Sequence, residues 1–486
     1  MRRTTARLAA ARSVDDVFAV VAADPASLSG VNVSTAWHRL AWLARGGGTA
    51  GAAVVRSDPR MRLLEAATLS ASASLGPQGV SATLWAAAAL RHAPPPALAA
   101  ALWRSAKAAL PKATPHALAN LAWAAGTLQA PAGVAAVVRA AAARPDALRG
   151  FAPQGLAAVL WACAAADVPP GEPLSAVAAR TLAADAQSFK PRELATVATA
   201  LAELRLHPGR RALDAVDAAF ARALAVIGAD DATSAPPHAT AGLLWAFATL
   251  QHAPTRTLRA LNVADIKAAA PADAGSSAQR QLPGYSAAAL ARLAWAVTVL
   301  GGGGGGAASA AWCAAGTLPA SSFDAPSLLL LMEAQLLARA ERINPPPLPA
   351  ALQDAALAAW RHRLDHPGPQ TQPMHAQVMA AIEALQLPHA TAQRSADGLM
   401  CIDAAIEAAK GDAGIAVMVD GPRAFAANTR TALGGTRCRD ALLGAREWRV
   451  VSVPFFEWAP LRTDYERKLY LRVKLAAAGL NRLNDA

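Results

Sequence analysis

Residues 153–162 read PQGLAAVLWA, and a closely similar segment, PHALANLAWA, stands 38 residues earlier at 115–124. A third copy, PQGVSATLWA, lies the same distance before that, at 77–86. Their tryptophans, Trp85, Trp123 and Trp161, therefore recur every 38 residues. A fixed period of this length is typical of a protein built from stacked structural repeats.

The repeated segment continues in both directions along the chain. With the tryptophan as the anchor position, Thr199 takes that position 38 residues after Trp161, and Trp245 and Trp295 follow after 46 and 50 residues. Trp42 opens the series, and Glu333 and Ala380 close it, so we expect about nine units. We expect PADAGSSAQRQLPGYS (271–286) and HPGPQTQP (366–373) to be loops that lengthen the period, and GGGGGG (301–306) to be a flexible insertion.

Prolines divide each unit into two helices. Proline is favoured at the first helical position, where its missing N–H costs nothing. Eight residues before the anchor stand Pro77, Pro115, Pro153, Pro191 and Pro237. Prolines eight or nine residues after the anchor end this helix and open the next: Pro94, Pro131, Pro170, Pro208 and Pro254. A single helical hairpin cannot bury both faces, whereas stacked hairpins can, so the pattern predicts a mainly α protein, an α-solenoid.

Composition agrees with this fold and excludes several others. Of the 486 residues, 54% are hydrophobic but only 5% are aromatic, because the excess is alanine, a strong helix former. The four cysteines show neither a CxxC pair nor zinc-like spacing, which argues against a disulfide scaffold or a zinc module, and we expect no cofactor and no metal. Uncharged stretches are interrupted by Pro, His, Asn and Gly, so no membrane span is expected. The net charge of +12 suits a polyanionic partner.

Two positions of the first helix of each unit vary in polar identity while their surroundings stay constant. Seven residues before the anchor stand Gln78, His116, Gln154, Arg192 and His238; three residues before it stand Ala82, Asn120, Ala158, Thr196, Gly242 and Arg292. Helical-repeat proteins that read single-stranded RNA offer two or three side chains per repeat to one base. The alternative is a solvated helix start, where any polar residue is tolerated, and for the tryptophans it is packing between repeats.

The repeats resemble the octotricopeptide repeat, a helical hairpin of organelle RNA-binding proteins, especially of green algae. The similarity is carried by the PQGLAxxLWA-type segments and the prolines that follow them, and it extends over residues 14–390. It implies sequence-selective binding of single-stranded organelle RNA, in transcript stability, processing, splicing or translation, together with other RNA-processing proteins. Residues 1–13 contain four arginines and no acid, which resembles a transit segment for the chloroplast or, alternatively, the mitochondrion.

Residues 412–475 resemble the RAP domain, a small module proposed to bind RNA. The resemblance rests on Asp420-Gly421-Pro422 with Phe425, then Trp448, Glu457-Trp458 and Tyr470-Leu471. It implies a small α/β domain similar to a restriction-endonuclease fold, joined to the repeats by a connecting helix or linker at 391–411 and followed by a tail at 476–486.

The endonuclease-like fold makes Asp420 the candidate metal ligand of a nuclease. Positions where the family often has an acid and a histidine are Met418 and Ala424, so we expect a domain without catalytic activity. Glu457 assists Asp420 only if the fold brings the two together. The other interpretation of Asp420 is a turn cap before Gly-Pro. We expect Arg423, Arg437 and Arg439 to contact phosphates, unless they form a solvated basic face.

The remaining functional alternatives are an RNA endonuclease that uses Asp420 and a protein-binding helical scaffold.

Overall fold

The computed structural model describes residues 2–225, 236–268, 285–301, 306–366, 372–407 and 413–480. The chain divides into two compact units, Met1–Leu204 and Arg205–Ala486. The loops predicted at 271–286, 301–306 and 366–373 lie largely outside the described residues. No helix within the described ranges has the length and apolar character needed to cross a bilayer.

The first unit is all helical. Its helices are α1 (Arg2–Ala10), α2 (Val14–Ala23), α3 (Gly30–Ala44), α4 (Gly48–Ser57), α5 (Met61–Ala71), α6 (Pro77–Ala89), α7 (Pro96–Ala109), α8 (Pro115–Thr127), α9 (Pro131–Ala142), α10 (Pro145–Arg149), α11 (Pro153–Ala165), α12 (Gly171–Asp185) and α13 (Pro191–Glu203). The first helices of successive repeats, α3, α6, α8, α11 and α13, pack side by side in that order. The second helices also contact each other, α5 with α7 and α9 with α12. This is the stacking of hairpins that the period predicts.

The segment expected to be a transit sequence forms α1, which packs against α3. Leu8 is fully buried, and the Arg39 Nε donates to the Ala11 carbonyl at 2.7 Å.

The prolines start the helices where the sequence predicts them. Pro77, Pro115, Pro153 and Pro191 are each the first helical residue, after a residue in extended conformation. Thr114 also caps α8, because its side chain accepts from the Ala117 N–H at 3.2 Å.

The ends of these helices use a feature that the sequence does not announce. Six first helices, those with anchors from Trp85 to Trp295, are followed six residues after the anchor by a residue in the left-handed region: Arg91 (φ 51°), Gln129 (φ 54°), Asp167 (φ 50°), Arg205 (φ 57°), Gln251 (φ 56°) and Gly301 (φ 70°). The next N–H then reaches back into the helix, as in the bond from Ala130 to the Ala125 carbonyl at 2.8 Å. Glycine favours this conformation, but only Gly301 of this set is glycine.

The second unit begins with further repeats and ends in a mixed sheet. Its helices are α14 (Arg210–Ala225), α15 (Pro237–Thr249), α16 (Thr255–Ala268), α17 (Ala287–Val299), α18 (Gly306–Gly316), α19 (Ala325–Ala340), α20 (Ala350–Asp365), α21 (Gln372–Glu383), α22 (Gly434–Gly444), α23 (Phe455–Trp458) and α24 (Asp464–Ala477). The strands are β1 (His389–Arg394), β2 (Cys401–Ile406), β3 (Ile415–Asp420) and β4 (Arg449–Pro454). Helices α15, α17 and α19 pack in sequence, as do α14, α16 and α18.

The sheet has the order β1-β2-β3-β4. Strand β2 pairs antiparallel with both β1 and β3, whereas β3 and β4 are parallel and are connected along the chain through α22. Together with the repeats, this small α/β domain confirms the predicted fold class.

Two predicted boundaries are wrong. Residues 391–411 are not a connecting helix, because their described part contains most of β1 and all of β2. The unit expected at Ala380 is α21, whose Val378 and Ile382 are buried in one core with Ile415 and Val417 of β3. We therefore call residues 372–480 the C-terminal domain.

The C-terminal domain shares a core with the repeats that precede it. Side chains alternate between the two faces of a strand, so Ala416 and Met418 of β3 face the opposite side from Ile415 and Val417. Ala416 and Met418 are buried in one cluster with Leu352 and Trp360 of α20. The Trp360 indole N–H also donates to the Leu399 carbonyl at 2.7 Å. The last helical hairpin, α19 and α20, and the sheet therefore bury each other's apolar side chains.

We predict that Gln129→Gly stabilises the protein. The left-handed conformation costs a non-glycine residue about 1–2 kcal/mol, and the extra freedom of glycine in the unfolded chain cancels about 0.5–1 kcal/mol of that gain. The midpoint of urea denaturation, followed by circular dichroism, should rise. The control is Ala108→Gly, at an exposed position inside α7, which should lose about 1 kcal/mol. Equal losses in both variants would contradict the strain at Gln129.

Candidate functional site

The anchor tryptophans of the first unit form a ladder of contacting rings. The Trp85 and Trp123 ring centroids are 6.2 Å apart, and those of Trp123 and Trp161 are 6.5 Å apart. His38 of α3 continues the ladder, 5.5 Å from Trp85. The indoles are half-buried and contact neighbouring repeats, which supports the packing interpretation of these residues.

Trp42, which opens the series, lies outside this ladder. Its side chain is 51% exposed, and the Arg39 guanidinium lies 4.4 Å from its ring centroid. In the second unit, Arg292 lies 5.0 Å from the Trp245 centroid. The Trp295 indole N–H donates to Glu333 at 2.8 Å, so the acid at the next anchor position accepts a hydrogen bond from the preceding anchor.

The variable polar residues occupy the first turn of the repeat helices. The residues that stand seven positions before an anchor are all exposed: Gln78, His116, Gln154 and Arg192 in the first unit and His238 in the second. In the first unit, they stand at the same place on four helices that pack side by side. The structure therefore brings these four into one row, which we name the helix-start row.

The residues three positions before the anchor are less exposed than those of the helix-start row, and two of them form hydrogen bonds within their own helix. Asn120 is half-buried and hydrogen bonds to His116 at 3.2 Å, which joins the two variable positions of one repeat. Thr196 is also half-buried, and its hydroxyl donates to the Arg192 carbonyl at 2.8 Å. That hydroxyl keeps only its lone pairs for a ligand.

The electrostatics of the helix-start row favour anions. The first turn of a helix carries partial positive charge from its unpaired N–H groups. Helices α6, α8 and α11 have no acidic residue in that turn. Lys112 and Lys190, both exposed, precede α8 and α13. In α13, Glu193 accepts from the Lys190 backbone N–H at 2.9 Å, so part of the positive end of that helix is compensated internally.

In the C-terminal domain, Asp420 is part of a buried ion pair. Its side chain is 2% exposed at the end of β3, and both of its oxygens accept from Arg439 of α22, at 2.5 and 3.1 Å. Ser452 of β4 donates to the same carboxylate at 2.5 Å. The Asp420 side chain therefore links β3, β4 and α22, and it does not act as the turn cap that was one of the two interpretations.

Arg439 was predicted to contact phosphates, but its guanidinium is paired with carboxylates of the protein. Its guanidinium binds Asp420 and also Asp440, at 2.6 Å. Burial opposes its charged form, but the hydrogen bonds and negative charges of the two carboxylates raise the pKa of Arg439 above its ordinary value. Arg423 and Arg437 are exposed, as phosphate contacts would require.

A second carboxylate beside this pair was missed by the sequence analysis. Asp403 of β2 accepts from the Val419 N–H at 2.7 Å, and His375 of α21 lies 3.8 Å from its other oxygen. Burial is the main cause that raises the pKa of Asp403, and the hydrogen bond and the charges of His375 and Arg439 oppose that rise. The only signal in the sequence was one acid within CIDAAI, a segment predicted to be a linker.

The remaining candidate acid has other partners. Glu457 accepts from Tyr470 at 2.6 Å and from Lys474 at 2.8 Å, which ties α23 to α24. Among the described residues, no group of three or more histidines, cysteines or acids is arranged to hold a metal ion.

These features define a class of protein: helical hairpin repeats followed by a small α/β domain with a buried Asp-Arg pair. The family model of the RAP domain matches residues 417–474, which run from β3 through α24. A RAP domain therefore lies at the carboxyl end, and it indicates an RNA-associated function. No curated protein matches the chain.

We predict that removing the charge of Asp420 lowers the stability of the C-terminal domain, whereas removing the charge of Asp403 does not. Asp420→Asn leaves Arg439 without its main partner and should destabilise the C-terminal domain by about 3 kcal/mol. Asp403→Asn keeps an oxygen for the Val419 N–H and removes a charge that burial disfavours, so stability at pH 7 should be unchanged or higher. Hydrogen exchange of peptides from 415–454 separates this domain from the repeats.

The pH dependence provides the check on Asp403. Because its folded pKa is raised, its contribution favours the folded state at low pH and is lost as the pH rises through that pKa. The advantage of Asp403→Asn should therefore shrink as the pH is lowered below the raised pKa. An advantage that grows on acidification would contradict this assignment.

Proposed function

We propose that the protein binds single-stranded RNA along the helix-start row and acts in organelle gene expression after transcription. Its role would be in transcript stability, processing, splicing or translation, in the chloroplast or, alternatively, the mitochondrion. RNA-processing proteins are the partners that fit this role. The observation that carries the proposal is the exposure of four polar side chains, of three kinds, at one position of successive packed helices.

The chemistry of these residues fits base recognition. Glutamine and histidine offer both donors and acceptors, and arginine offers several donors, so each can bond to the edge of a base. Single-stranded RNA presents those edges because its bases are unpaired. A solvated helix start would need only polarity, whereas three of the four residues of this row also lie at the positive ends of helices without an acid in the first turn.

The scaffold beneath the row supports repeated recognition. The contacting rings of Trp85, Trp123 and Trp161 set a nearly constant separation between repeats. Constant separation allows one repeat to meet one nucleotide of an extended strand, as in other helical-repeat RNA readers. The RAP domain adds an independent link to RNA, and its exposed Arg423 and Arg437 suit phosphate contacts.

RNA endonuclease activity is the second candidate, because Asp403 and Asp420 lie on neighbouring strands and influence each other electrostatically. A nuclease of this kind uses two carboxylates to hold a divalent metal. Here Arg439 already supplies the positive charge opposite Asp420. We therefore propose a RAP domain that binds without cleaving, and we expect no Mg²⁺-dependent RNA cleavage. Cleavage that Asp403→Asn abolishes without loss of stability, while Arg423→Ala retains it, would favour the nuclease.

The binding prediction compares two quadruple alanine variants of the full chain. The test variant replaces the helix-start row: Gln78, His116, Gln154 and Arg192. The control replaces exposed cations on the second helices: Arg104, Lys107, Arg139 and Arg180. Because the control removes more positive charge, a non-specific electrostatic interaction would suffer more from the control.

Fluorescence anisotropy with labelled single-stranded RNA, at several salt concentrations, is the measurement. We expect the test variant to weaken binding at least about tenfold and to reduce the preference among RNA sequences, since several hydrogen bonds to bases are lost. The control should lower the salt dependence more than the sequence preference. Equal affinity of the unmodified chain for every sequence would contradict base reading, and no RNA binding would favour a protein-binding scaffold.

A further inference from the structure

A cavity of about 610 Å³ lies in the first unit, where the amino-terminal halves of α3 and α6 meet. Its volume falls within the range of about 300–1,000 Å³ that is typical of small-ligand sites. Gln78 of the helix-start row lines it, and so does Thr35, which stands seven residues before Trp42. The cavity therefore lies between the variable positions of the first two repeats.

The polar groups of the cavity fit the edge of a nucleobase. The exposed Gln78 amide offers a donor and an acceptor. The Thr35 hydroxyl donates to the Val31 carbonyl at 2.7 Å and keeps its lone pairs for a ligand. His38 also lines the cavity, and burial, followed by the charges of Arg45 and Arg39, lowers its pKa. The lowered pKa favours the neutral imidazole, which carries one N–H donor and one acceptor nitrogen.

The apolar and charged groups fit the rest of a nucleotide. Val31 lines the cavity with 58% of its surface exposed, which gives a flat ring an apolar contact. The small side chain of Ala82, three residues before Trp85, leaves the cavity open. The equivalent residue of the next repeat is Asn120, whose longer side chain hydrogen bonds to His116. Lys112 provides a positive charge, and no acidic side chain is among the described residues that line the cavity.

We propose that this cavity binds one nucleotide of the RNA, with the base beside Val31, His38 and Gln78 and a phosphate at Lys112. The inference rests on the proposed RNA-binding function and adds a discrete site to it. At this site the base enters a pocket between two repeats. Elsewhere in the row, the bases meet exposed side chains.

The probes are nucleoside 5′-monophosphates, which are titrated into the full chain. Their binding is measured by isothermal calorimetry or ligand-observed NMR. We expect saturable binding that Ala82→Phe abolishes by filling the cavity. The matched control is Ala158→Phe, at the same offset of a repeat whose residues do not line the cavity; it should leave mononucleotide binding unchanged.

Lys112→Ala tests the phosphate contact at an exposed position, where folding is not at risk. In the unmodified chain, AMP should bind about tenfold more tightly than adenosine, the contribution of a hydrogen bond to a charged group. Lys112→Ala should remove this difference in affinity and leave the affinity for adenosine unchanged. If the chain binds RNA but mononucleotides do not bind, or bind equally well to Ala82→Phe, the pocket is overturned and the proposed function stands. If neither RNA nor mononucleotides bind, both are overturned.

Discussion

The architecture depends on how closely the first helices of neighbouring repeats approach one another. The residue after every anchor from Trp85 onward is alanine, and Ala86, Ala124 and Ala162 are completely buried. At Gly126, even one added methyl group would lie 3.0 Å from the backbone of Ala162. Larger residues here would separate the helices, because interiors packed at this density do not absorb extra volume. The close approach brings the indoles into contact and places the first turns in one row.

Much of the fold follows from the sequence because the repeat multiplies every local signal. Proline positions and the 38-residue spacing predict the helix starts, and these are confirmed in the described repeats. Helix ends are different, since Arg91 and Gln129 adopt a left-handed conformation that carries no glycine signal. Strand β1, HATAQR, was missed because it is a largely exposed edge strand without apolar alternation. Helix α21 has an alanine-rich pattern like the repeats, and its contacts with β3 and α24 distinguish it from them.

The sites show the same division between local and long-range information. The helix-start row was predictable because one offset within a periodic helix fixes its exposure. The Asp420–Arg439 pair was not, since the two residues stand 19 positions apart and meet only through the β3–α22 arrangement. Arg439 therefore looked like a surface cation in the sequence. Asp403 became a neighbour of Asp420 only when β2 paired with β3.

The core shared by the last hairpin and the sheet has a consequence for biosynthesis. The hairpins of the first unit contact mainly their neighbours in sequence, so each can settle soon after it leaves the ribosome. Helices α19 and α20, however, are covered by Met400, Ala416 and Leu442, which are translated later. Until that stretch emerges, the nascent chain exposes an apolar surface, the kind that molecular chaperones bind. A premature stop before β2 would leave that surface permanently uncovered.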